Sequence, residues 1–125
     1  MADLPRADRL AAAIERDGSD CVWCRRAFAD RFVRATVDHV VPRLKGGPAW
    51  LENEVAACSR CNRERAHCAP VEFLVWCEER GWEPNRGAIA RSLRSLAEAI
   101  AARGGQRRAR PYLDAQLRRL ERASL

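Results

Sequence analysis

Cys21-Val22-Trp23-Cys24 and Cys58-Ser59-Arg60-Cys61 are two CxxC pairs separated by thirty-three residues, and that spacing decides the fold. Two residues between cysteines let both sulfurs turn toward one tetrahedral ion at about 2.3 Å, and a second pair completes its coordination. The expectation is a structural zinc ion on Cys21, Cys24, Cys58 and Cys61, with no open position for catalysis. Structural zinc is worth roughly 10–16 kcal/mol in small peptides. Closing this loop should therefore supply much of the stability of a 125-residue chain, whose core is small. Cys68 and Cys77 belong to neither pair and read as small apolar side chains on a helix face.

Inside the loop, Ala35-Thr36-Val37-Asp38-His39-Val40-Val41 is rich in β-branched residues and runs into Pro42, the pattern of a strand. Gly46-Gly47-Pro48 marks a turn, Val55-Ala56-Ala57 a short second strand, and residues 59–67 a short helix carrying Cys61 and Asn62. Outside the loop the pattern is helical. A first helix is expected over 5–16, stopped by Gly18, and another over 70–80, stopped by Gly81. Ile89, Leu93, Leu96 and Ile100 recur at helical spacing before Gly104-Gly105, and Leu113, Leu117 and Leu120 follow Pro111 in a last basic helix. The class is α+β. Its expected parts are an N-terminal helix (1–20), a zinc-closed core (21–68) and a C-terminal helical region (69–125). Trp23, Trp50, Trp76 and Trp82 read as core or knuckle-packing residues, and His67 as a surface histidine.

The charge is uneven. Twenty-three basic residues against seventeen acidic ones leave +6, and only Lys45 is a lysine. Residues 1–20 carry −2, whereas 21–68 and 69–125 carry +4 each. Such a balance favours a polyanionic partner, nucleic acid above all. No stretch is long and apolar enough for a bilayer span, and the N-terminus has no secretory pattern. The expected compartment is the cytoplasm, where thiols stay reduced and bind metal more readily than they form disulfides.

Asp38-His39 lies at the end of the first strand, Asn53 before the second, and Asn62 directly after the last cysteine. A zinc-closed loop would bring one carboxylate, one imidazole and two amides together. A hard divalent cation takes oxygen ligands and keeps several waters, so one carboxylate and one amide suffice beside a substrate phosphate. An imidazole can take a proton from water at neutral pH. These are the parts for metal-assisted phosphodiester hydrolysis.

The runs Thr36-Val37-Asp38-His39-Val40-Val41-Pro42-Arg43-Leu44-Lys45-Gly46-Gly47 and Leu51-Glu52-Asn53-Glu54-Val55-Ala56-Ala57-Cys58-Ser59-Arg60-Cys61-Asn62 resemble the HNH endonuclease motif. The flanking cysteine pairs resemble the zinc-bearing branch of that family. The resemblance implies a small ββα-metal core of the His-Me finger type, stapled by zinc, that cuts DNA to leave 5′-phosphate ends. It implies His39 as general base, and Asp38 and Asn62 as ligands of one catalytic magnesium or manganese ion. Asn53 would brace the loop and orient His39. The third letter of the motif, often histidine, is Asn62 here, and an amide oxygen in place of imidazole favours hard cations. Arg43, Lys45, Arg60, Arg63 and Arg65 flank the motif as expected phosphate contacts, with double-stranded DNA as the expected partner. Arg103, Arg107, Arg108 and Arg110 form either a further contact surface or a solvated face. A silent zinc module that only binds nucleic acid, or a zinc-thiolate redox sensor using Cys68 and Cys77, are the competing readings.

Overall fold

A computed structural model describes residues 4–123. Helix α1 (Arg6–Asp17) is followed by the first CxxC turn, and then by strand β1 (Ala35–His39). A loop with 3₁₀ turns at Arg43–Lys45 and Leu51–Asn53 leads into β2 (Glu54–Cys58) and α2 (Ser59–Arg65). Helices α3 (Pro70–Glu79), α4 (Arg86–Arg103) and α5 (Ala109–Ala123) complete the chain. The strands pair antiparallel, with Ala35 opposite Cys58 and His39 opposite Glu54. β1, β2 and α2 thus make the expected ββα unit within an α+β fold.

One apolar cluster runs from the first CxxC turn (Cys21, Val22, Trp23) through Val40, Val41 and Val55 to Leu74, Leu93, Leu96 and Leu120. Every residue of β2 is buried, because α1 and α4 both pack on it. The backbone ties the first turn to both sides: Val22 N–H donates to Ala56 O (3.1 Å), and Val22 O accepts from Asn85 N–H (2.7 Å). Asn85 also caps α4, its side chain accepting from Ala88 N–H.

Several boundaries differ from the sequence pattern for local reasons. β1 ends at His39 and not at Val41, because the backbone of Val41 pairs with the side chain of Asn53 instead of a strand neighbour. α2 stops at Arg65 and not at His67, with Ala66 at φ 49°. α5 starts at Ala109, which places Pro111 in its first turn, where a missing N–H goes unnoticed. Cys77 lies buried on α3 as expected, whereas Cys68 is exposed and falls between helices.

The loop from Val41 to Asn53 is fixed by one amide and one glycine. Asn53, fully buried, accepts from Val41 N–H (2.8 Å) and donates to the carbonyls of Val41 and Pro48 (3.0 Å each). Gly47 passes so close that a Cβ there would sit 1.8 Å from Val41 O and 2.9 Å from the Asn53 amide nitrogen. No helix among the described residues is long and apolar enough to cross a membrane.

Candidate active site and metal centre

The sulfurs of Cys21, Cys24, Cys58 and Cys61 all lie within 4.8 Å of one another, and those of Cys24 and Cys58 are 3.9 Å apart. Four sulfurs at about 2.3 Å from a tetrahedral ion sit about 3.8 Å from each other, so the cluster has the dimensions of a zinc cage. Cys58 also caps α2: its sulfur accepts from Cys61 N–H (3.4 Å). Arg26 donates to the sulfurs of Cys24 (3.4 Å) and Cys58 (3.2 Å), which raises its own pKa. A hydrogen bond with Cys61 pulls the Cys21 thiol down to about 5, and the same contact pushes Cys61 up. Burial pushes Cys24 up. Four thiolates this close would repel one another, so without an ion most of the cluster holds its protons, and a divalent cation displaces them on binding. Cys77, pushed up to about 12 by burial, stays a protonated core residue.

A separate cleft is lined from β1 and α2. Asp38, His39 and Asn62 line a single cleft of about 160 Å³ together with Pro42, Arg43, Leu44, Ala66 and His67. Asp38 is only 4% exposed. Its Oδ2 accepts from the indole N–H of Trp23 (2.8 Å), a residue of the first CxxC turn, and its Oδ1 from Arg65 (2.7 Å). Each carboxylate oxygen keeps a further lone pair. The Asn62 amide donates both its protons, to Thr36 Oγ1 and Val37 O (3.0 Å each), which fixes its orientation. Among the described residues no hydrogen bond uses Asn62 Oδ1, the atom opposite those contacts. A carboxylate oxygen and an oriented amide oxygen on one cleft are a donor set for a hard cation such as magnesium or manganese.

The histidine is held from behind. His39 Nε2 lies 2.9 Å from Oε2 of Glu54, its partner across the strand pair, and Glu54 Oε1 accepts from Arg9 Nε of α1 (2.6 Å). Glu54 is fully buried. Burial works to raise its pKa, but the hydrogen bonds from His39 and Arg9 outweigh it and hold Glu54 below the usual carboxylate range. Sequence reasoning passed over this residue. The available signal was a lone charge heading the apolar run Val55-Ala56-Ala57.

The other expected site residues divide. Asn53 does not line the cleft; it braces the loop that carries one wall of it. Arg43 is exposed on the cleft, and Arg63 is exposed on a neighbouring depression that shares Asn62 and adds Thr36 and Ser59. Lys45 is exposed on the 3₁₀ turn. Arg60 is half-buried and sits over the Trp82 ring (5.6 Å). Arg65 departs from expectation. It is 1% exposed, and its guanidinium donates to Asp38 and to the carbonyls of His39, Val40 and Cys68. Those bonds leave it no face for a phosphate and make it the internal brace of the Asp38-His39 corner. His67 is exposed as expected, yet it lines the cleft. In the C-terminal basic stretch, Arg108 donates to Leu44 O (2.6 Å) and Arg103 lies over Trp50 (4.2 Å), so part of it holds the fold.

A four-sulfur cage that could hold a metal such as zinc and a cleft of carboxylate, imidazole and amide share one ββα unit. Residues 21–67 match the family model described as HNH endonuclease. Two curated relatives are similar to the chain. One is the CRISPR-associated endonuclease Cas9 of Corynebacterium diphtheriae, 30% identical over 67 residues that make up 53% of this chain and 6% of that protein. The other is the CRISPR-associated endonuclease Cas9 of Actinomyces naeslundii, 31% identical over 80 residues, 63% of this chain and 6% of that protein. The chain thus spans about 6% of the length of the curated relatives it matches. No solved structure matches it significantly.

Proposed function

We propose that this protein is a metal-dependent endonuclease that hydrolyses phosphodiester bonds in double-stranded DNA. The observation that carries the reading is the sharing of one cleft by Asp38, His39 and Asn62, whose side chains reach it from β1 and α2. Zinc on the four cysteines is structural in this reading, and a magnesium or manganese ion would be held by Asp38 and Asn62. When bound, that ion offsets charge developing on the phosphate and on the departing oxygen. His39 accepts a proton from the attacking water as the new oxygen–phosphorus bond forms. The bond to the 3′ oxygen breaks, that oxygen takes a proton from solvent, and the 5′ end keeps the phosphate. Arg65 and Trp23 hold Asp38 in place while this happens. Arg43 and Arg63, exposed on either side of Asn62, are suited to neighbouring phosphates.

Plasmid nicking tests the reading. The zinc-loaded chain should nick with added magnesium and not without it. His39→Ala should reduce the rate by about 10²–10⁴, the usual contribution of a positioned base, with zinc content unchanged. Undiminished nicking by His39→Ala would remove His39 from the mechanism.

A further inference from the structure

The imidazole of a general base has two nitrogens, and only the one without a proton can accept one. Nε2 of His39 lies 2.9 Å from the Glu54 carboxylate, which is ionised and can only accept. The nitrogen facing it therefore carries hydrogen, and the lone pair of neutral His39 falls on Nδ1. The carboxylate is itself anchored, since Arg9 of α1 bonds its other oxygen. From the same helix, Arg16 donates to Glu54 O (2.6 Å) and Leu51 O (3.0 Å), fixing the backbone at the head of β2. A buried carboxylate is costly unless its oxygens are paired, and the neighbouring positions on β2 are apolar. An apolar residue would thus fill the space at position 54 more cheaply. What it would not do is orient a ring.

We propose that Glu54, anchored by Arg9, is the positioning residue that fixes the orientation and tautomer of His39, so that helix α1 is part of the catalytic apparatus. The helix lies outside the matched span of residues 21–67. The proposal rests on the reading of His39 as the base, and its test separates the two.

The experiment uses the full zinc-loaded chain with Glu54→Leu, Glu54→Gln and Arg9→Gln, each checked for zinc content and thermal melting. The chain has two histidines, so nitrogen–proton NMR of the imidazoles is assignable by comparison with His39→Ala. The wild type should show neutral His39 protonated at Nε2, and Glu54→Leu should show a mixture of tautomers. In nicking assays Glu54→Leu should lower kcat by about 10–100-fold, with KM changed less than about twofold, as expected for loss of a residue that orients another. Glu54→Gln, which keeps an acceptor, should recover part of the rate, and Arg9→Gln should lose less than Glu54→Leu. An unchanged tautomer in Glu54→Leu overturns the proposal whatever the nicking shows. So does a mixed tautomer with wild-type kcat. If His39→Ala nicks normally, the fault lies in the assignment of the base, while the tautomer result still reports on Glu54 by itself.

Discussion

The sulfur cage and the histidine cleft are framed by the same strands and helix, yet they treat their polar atoms in opposite ways. In the cage each sulfur points inward toward the others, and Arg26 covers two of them from outside. In the cleft Asp38, His39 and Asn62 are each bonded from behind, by Arg65 and Trp23, by Glu54, and to Thr36 and Val37. Among the described residues Asp38 keeps a second lone pair on each oxygen, and Asn62 keeps its Oδ1 outside any hydrogen bond. Closure suits an ion that holds the fold; incomplete satisfaction on a rigid backing suits one that turns over. Trp23 joins the two, because it sits between the first two cysteines and bonds the carboxylate of the cleft.

The largest test of the contrast removes the cage. Cys58→Ala, or stripping zinc with a strong chelator, should cost on the order of 10 kcal/mol, comparable to the whole stability of a small domain. Far-UV circular dichroism should then show unfolding, and a metal-free chain melting like the loaded one would end the structural assignment of zinc. Next in size is the backing of the cleft. Arg65→Ala leaves the Asp38 carboxylate buried without its charge partner and should cost about 3–5 kcal/mol in urea unfolding while zinc stays bound. A loss below about 1 kcal/mol would be the figure for an exposed pair and would contradict the burial of Arg65. The smallest effect is the pH dependence of Glu54. Its folded pKa is lowered, so its stabilisation is present above its ordinary value near 4.5 and fades as the pH falls through the lowered one. Glu54→Gln should be less stable than wild type at neutral pH, and the gap should close in acid, where zinc release burdens both chains alike. A gap independent of pH would show that the carboxylate is not held charged.

What the sequence made legible was what depends on near neighbours. The CxxC spacing, the β-branched run before Pro42 and the helical recurrence of Ile89, Leu93, Leu96 and Ile100 each state their element within a few residues. That Asp38, His39 and Asn62 would share one cleft was legible because a ββα unit closed by one cage has few ways to arrange them. Glu54 and Arg65 were not. The role of Glu54 depends on the register that sets it opposite His39 and on a helix forty-five residues away in sequence at Arg9. Arg65 sits in a basic stretch that reads as surface, and only the turn of α2 carries its side chain inward to four oxygen acceptors. Charge composition states how many cations a segment has, not which of them the fold keeps for itself.

The close approach at Gly47 constrains how this molecule can diversify. With a carbonyl 1.8 Å from where a methyl would begin, any other residue there would have to push Val41 and Asn53 apart. Arg43, Leu44 and Lys45, exposed a few positions earlier, meet no such obstacle. Gly46, at φ 89°, is held in the same way, so a library randomised across positions 43–47 would return glycine at 46 and 47 and broad variety at the other three. The exposed rim is thus sterically open to change, while positions 46 and 47 stay frozen.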